Sequence, residues 1–118
     1  MTQTVTFSSD RTGDRTQVLT LDGRCDASVA AETERRILSA LDAGRTEIVF
    51  DLRGVISLAP AMLQALSRGS IQAKARSGHL AIVRPNAHVW ALFEQGGLRR
   101  VFPSYPELRD ALADSERV

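Results

Sequence analysis

The sequence predicts an α/β fold with a mixed, mostly parallel sheet, an antiparallel N-terminal edge and about four helices. Three observations carry this. β-forming and helix-periodic segments alternate, in the order β-β-α-β-α-β-α-β-α, which implies parallel strands joined by right-handed crossovers. The run Ile48–Phe50 is continuously apolar, as in a central strand covered on both faces. The first two β-like segments are separated only by a short polar stretch, so they read as a hairpin. A chain of 118 residues, with 43% hydrophobic and 25% charged residues, suits one globular domain spanning residues 1–118.

The elements follow in order. Thr4–Phe7 alternates as a first strand, and Ser8–Arg15 is a polar turn. Gln17–Leu21 is a second strand, ended by the turn Asp22–Asp26, in which Asp22-Gly23 is the strongest turn dipeptide. Ser28 is a cap for a helix over Val29–Asp42, with Ala30, Thr33, Ile37, Ala40 and Leu41 at helical spacing and Gly44 beyond its end. Glu47–Leu52 is the buried strand, and Val55–Leu58 leads from it to Pro60. Proline lacks an N–H and has a fixed φ, so it fits the first turn of a helix. That helix runs to about Arg76 with Met62, Leu63, Leu66 and Ala73 on one face, is weakened by Gly69, and ends at Ser77-Gly78. His79–Val83 is a further buried strand. Asn86 caps a helix through Val89, Leu92 and Phe93 that closes at Gly96-Gly97. Leu98–Phe102 supplies a last strand, and Pro106 opens a terminal helix that frays over Asp114–Val118.

Composition excludes several functions. The net charge is +1, Lys74 is the only lysine, and the arginines are scattered apart from Arg35-Arg36 and Arg99-Arg100. No basic stripe with interleaved aromatics is present, so no nucleic-acid partner is expected. Cys25 is the sole cysteine, which excludes an internal disulfide and a cysteine-based zinc site. Met1–Asp10 is polar with no apolar core, so no signal peptide is expected, and the apolar runs are too short to insert in a bilayer. The expected location is cytoplasmic.

Ligand chemistry in open α/β sheets gathers at the carboxyl ends of strands, where Asp22–Ala27, Arg53–Pro60 and Arg84–Asn86 arrive. These loops hold no nucleophile–base pair. Cys25 reads as an inert thiol, His79 as a strand-edge residue, His88 as a helix-surface residue, Asp51 as structural and Trp90 as a packing aromatic. No Walker or dinucleotide glycine pattern occurs. The expectation is a non-enzyme with no metal and no cofactor.

The block Asp51–Leu66, DLRGVISLAPAMLQAL, resembles the core signature of the STAS domain, the family of anti-sigma factor antagonists and sulfate-transporter regulatory modules. That signature is a hydrophobic strand, Asp-Leu-x-x-Val, three residues, then Asp-Ser-Ser/Thr-Gly-Leu and a helix. Asp51, Leu52, Val55, Leu63 and Leu66 fall in register. Gly23-Arg24-Cys25-Asp26 resembles the family's Gly-Glu-Leu-Asp turn, Ser77-Gly78-His79-Leu80 its helix-to-strand turn, and Gly97-Leu98 its Gly-Leu before the last strand. The resemblance covers about residues 17–113.

The departure falls in the regulatory motif. In anti-sigma antagonists a kinase phosphorylates a serine at the start of the second helix. By register that position is Ala61 here, and its serine neighbour is Pro60. Neither has a hydroxyl, so the resemblance implies a domain without the usual phosphoswitch. Ser57 is a weak candidate for a substitute acceptor.

The resemblance implies a bacterial signal-transduction module acting on transcription through protein binding, with Asp26, Leu58, Ala59, Pro60, Ala61, Met62 and Gln64 as partner contacts. Met62 in place of glycine would add apolar bulk to that surface. The implied partner is an anti-sigma factor of serine-kinase type. The alternative is a soluble STAS subunit of a membrane transport system, bound to an ATPase subunit. A further alternative is a sensor of a nucleotide or lipid at the helix N-terminus. Homo-oligomerisation is left open.

Overall fold

The computed structural model describes residues 5–12 and 15–116, with side chains over 15–114. Its elements are β1 (Val5–Thr12), β2 (Thr16–Cys25), α1 (Ala27–Asp42), β3 (Glu47–Leu58), α2 (Pro60–Ala75), β4 (His79–Val83), α3 (Ala87–Gln95), β5 (Ser104–Tyr105) and α4 (Leu108–Glu116). The sheet order is β1-β2-β3-β4-β5. β1 is antiparallel to β2 and the other pairings are parallel. The α/β class, the element order and the antiparallel N-terminal edge are those the sequence predicts.

β3 is buried on both faces, and its alternation divides the core. Ile48, Phe50 and Leu52 join the larger apolar cluster with Ile37 and Leu41 of α1, Met62 and Leu66 of α2, and Val89 and Phe93 of α3. Val49 instead joins Val18, Val83 and Ala111 of α4. Among the described residues, no helix is long and apolar enough to cross a membrane.

Several local expectations need correction. β1 does not stop at Phe7 but continues to Thr12, which pairs with Thr16. The polar stretch expected as a turn is mostly strand, because ladder pairing with β2 overrides weak local preference; residues 13 and 14 lie outside the described residues. Asp22-Gly23 is not a chain reversal. β2 continues to Cys25, with register shifts between Thr20 and Asp22 and between Gly23 and Arg24. Gly23, at φ 85°, supplies the irregular backbone that such a bulge needs.

The cap of α1 is Asp26 rather than Ser28: the Asp26 carboxylate accepts the Ser28 N–H at 3.0 Å. The expected last strand over Leu98–Phe102 is a series of turns. Its apolar residues Leu98, Val101 and Phe102 pack on the larger core, and the strand is Ser104–Tyr105. α4 begins at Leu108, because Glu107 rather than Pro106 accepts the first helical N–H, that of Asp110 at 3.1 Å. The helix runs on to Glu116, so Asp114–Glu116 are helical, and residues 117–118 lie outside the described residues.

Gly69 is a packing residue rather than a weak point. A Cβ there would stand 2.7 Å from Ile37 Cδ1, so the glycine lets α2 approach α1 closely. α2 ends with Ser77 in the left-handed region at φ 63°, while the Gly78 N–H closes on the Ala73 carbonyl at 2.8 Å. Gly78 also passes against Thr46, whose carbonyl oxygen would lie 2.1 Å from a Cβ.

Candidate functional site

The β3–α2 turn is built from its strand side. β3 extends past β4: Asp51 is the last β3 residue paired with β4, whereas Leu58 still pairs with Cys25 of β2. The Ala59 N–H donates to the Cys25 carbonyl at 2.9 Å. This bond ties the start of α2 to the start of α1, because Asp26, the α1 cap, follows Cys25 directly. The structure therefore places Asp26 beside the turn.

Ala59 is the α2 cap residue, with φ −73° and ψ 154° and no side-chain cap bond, and Pro60 is at the first helical position. The Met62 N–H closes on the Ala59 carbonyl at 2.9 Å. Proline suits this geometry because it fixes φ and has no N–H to leave unsatisfied.

The side chains divide into two sets. Pro60, Gln64 and Asp26 are exposed, and Ala59 and Ala61 are half-buried. Leu58 and Met62 are buried, Met62 completely. Met62 Sδ lies 3.6 Å from Thr33 Oγ1 on α1. The expectation that Leu58 and Met62 contact a partner is thus corrected. Met62 lies on the helical row Met62–Leu66–Gly69–Ala73, which faces the core. It fills the space between α1 and α2 and adds no bulk to the surface. Ser57 is half-buried inside β3, paired with Arg24, rather than in a loop.

Ile56 is a surface residue that no motif in the sequence marks. It is 56% exposed, between the buried Val55 and the turn. Strict alternation from Val55 inward would have placed it outward. A shallow cleft of about 400 Å³, likewise unmarked by any motif, runs from Pro60 past Leu63 to Leu98.

The ionisable groups nearby have structural partners. Burial alone would raise the Asp51 carboxyl, but hydrogen bonds from the Arg53 guanidinium and backbone N–H, with its charge, hold it below the ordinary carboxylate range. The Ser28 hydroxyl, followed by the Ser28 and Val29 N–H groups, lowers that of Asp26. The Cys25 thiol is pushed up to about 11 by burial, then by Asp26 and Asp22. It is therefore a poor nucleophile. His79 is the first residue of β4, and its Nδ1 is 2.8 Å from a carboxylate oxygen of the buried Glu47. That pair lies where β3 and β4 begin, at the opposite end of the strands from the turn. Among the described residues, no group of three or more His, Cys, Asp and Glu side chains could hold a metal ion.

A family model described as "Mlab, STAS domain" matches residues 8–110. The chain belongs to the STAS family. Solved structures similar to this STAS domain include an anti-sigma factor antagonist from Mycobacterium paratuberculosis. It is 24% identical, with a TM-score of 0.83 over 96% of this chain and 95% of that one. The unphosphorylated anti-sigma factor antagonist SpoIIAA is 17% identical, with a TM-score of 0.85 over 96% and 98%. The murine anion transporter Slc26a9 is 13% identical, with a TM-score of 0.76 over 92% of this chain but 19% of the transporter. At these identities the likenesses speak for the fold. No curated protein sequence matches the chain significantly.

Proposed function

We propose that this STAS domain is a non-catalytic regulatory module that works by binding a protein through the exposed side of the β3–α2 turn. The contact set is Ala59, Pro60, Ala61 and Gln64, with Asp26 alongside; Leu58 and Met62 hold the turn in place from beneath. The observation that carries this reading is the division of the turn itself. An apolar, hydroxyl-free Pro60 is exposed on a rigid helix start, with the half-buried Ala61 packed against the core beside it, anchored by the buried Met62 and by the Ala59–Cys25 hydrogen bond. With Ala61 at the phosphoacceptor position, the module is a constitutive binder that stays in one state. Ser57 does not replace the acceptor, because a residue inside β3 is not presented to a kinase.

The favoured partner class is an anti-sigma factor of serine-kinase type, in a cytoplasmic circuit that controls transcription. A second reading, a STAS subunit bound to the ATPase of a transport system, has one observation in its favour: the same fold forms part of an anion transporter. One experiment tests the surface and separates the readings. The chain is captured from its host with its bound partner and the partner is identified. Capture by the wild type and loss in Pro60→Arg and Gln64→Arg, each with an unchanged Tm, is expected. Capture undiminished in both variants overturns the proposed surface, and the partner's identity decides between kinase and ATPase.

A further inference from the structure

The outer side of the α1–α2 layer carries a patterned seam. Two ion pairs join the helices across it, Glu34 with Arg68 and Asp42 with Arg76. On both helices the paired positions are eight residues apart, so α1 and α2 run parallel and in step. Both acids of these pairs are on the α1 side and both bases on the α2 side. Midway, where Leu38 is level with Gln72, the seam opens into a groove of about 110 Å³ that reaches the buried Ile37 and Gly69.

The same face is apolar at its centre. Among the described residues three large apolar side chains are exposed, and two are here: Leu38 at 40% and Ile71 at 64%. Arg35, also on the outer side of α1, is answered within its own helix by Glu32 at 2.6 Å. The two interhelix pairs sum to no net charge, so they offer little to a strongly acidic or basic partner. What their pattern complements is itself. A two-fold axis running along the seam lays α1 of each copy on α2 of the other. Glu34 of one copy then meets Arg68 of the other, Asp42 meets Arg76, and Leu38 meets Gln72 and Ile71. A two-fold axis across the seam instead opposes Glu34 to Asp42 and Arg68 to Arg76, which is repulsive.

We propose that this face joins two copies of the chain about the axis along the seam, with each acid placed between a base of its own chain and one of the other. The face begins one helical turn beyond Gln64, apart from the surface assigned to the partner at the β3–α2 turn. Two helices of 16 residues, about 24 Å long and about 10 Å apart, present about 500 Å² per copy. The total of about 1,000 Å² is at the lower limit of specific interfaces, so the dimer is weak and reversible, with a Kd of about 10–100 μM.

Sedimentation velocity of the full chain from about 5 μM to about 1 mM spans that Kd and tests the proposal. The wild type is expected to pass from monomer to dimer. Glu34→Arg/Asp42→Arg makes these pairs wholly basic, and Arg68→Glu/Arg76→Glu makes them wholly acidic. Exposed ion pairs add little to stability, so both variants keep the wild-type far-UV circular dichroism. Each alone should dimerise at least about tenfold more weakly, and their equimolar mixture should associate again. Adding Leu38→Ser/Ile71→Ser to both members should abolish that association. A wild type that stays monomeric throughout overturns the proposal and leaves the face to another protein or to solvent. Undiminished dimerisation of either charge variant, or a mixture that stays monomeric, also overturns it. A mixture that associates equally well with the serine changes reflects attraction of net charge alone, and overturns it too.

Discussion

Restoring the family's glycine at Met62 separates a surface role from a core role for this residue. Met62 is completely buried between α1 and α2, with Thr33 Oγ1 against its sulfur. Truncating a buried methionine to alanine removes about 2–5 kcal/mol, and going on to glycine inside a helix removes about 1 kcal/mol more. Met62→Gly should therefore destabilise the domain by about 3–6 kcal/mol, a large part of the roughly 5–15 kcal/mol that holds a domain folded. The paired change Pro60→Ser/Ala61→Ser touches only exposed and half-buried positions and should shift stability by about 1 kcal/mol or less. Urea unfolding followed by far-UV circular dichroism measures both. If Met62→Gly loses less than about 1 kcal/mol, Met62 is a surface residue and the packing argument fails. The expected outcome means that grafting the full family motif would unfold this domain, whereas the serines alone would be accepted.

Other perturbations test other parts of the structure. Asp51 has a depressed folded-state pKa, so its stabilising contribution is present above its ordinary value of about 3.9 and is lost as pH falls through the lower folded value. The Tm gap between wild type and Asp51→Asn should be constant near neutrality and shrink in acid; a gap that persists unchanged there refutes this. Gly78→Ala would drive a Cβ into the Thr46 backbone and should cost about 1–3 kcal/mol by thermal unfolding, while Gly96→Ala, with ordinary contacts only, should be nearly silent. The Cys25 thiol should resist alkylation in the native protein at mildly alkaline pH and react at once in denaturant; fast native labelling would contradict its burial and raised pKa. Asp26→Ala should lower the Tm by removing the α1 cap, and Ser28→Ala should lower it less.

By itself the sequence determined the layering of this protein. The apolar run Ile48–Phe50 reads as a strand covered on both sides, and β4 at His79–Val83, Pro60 at the start of α2 and Asn86 as the α3 cap follow from local chemistry that nothing distant overrides. The absence of hydroxyls at Pro60 and Ala61 is likewise a fact of the sequence. Tertiary structure decided the rest. Met62 and Pro60 are two residues apart on the same helix, yet one is core and the other surface, because the direction of a helical side chain has meaning only once α1 lies against α2. Leu98–Phe102 carries a strand-like pattern whose residues are apolar for packing in turns, and only the position of β4 fixes where β5 can pair. The polar stretch of β1 and the Asp22-Gly23 bulge are held by ladder bonds to a neighbouring strand, a force absent from local propensity. Glu47 and His79 are 32 positions apart in the chain, and parallel register alone makes them neighbours.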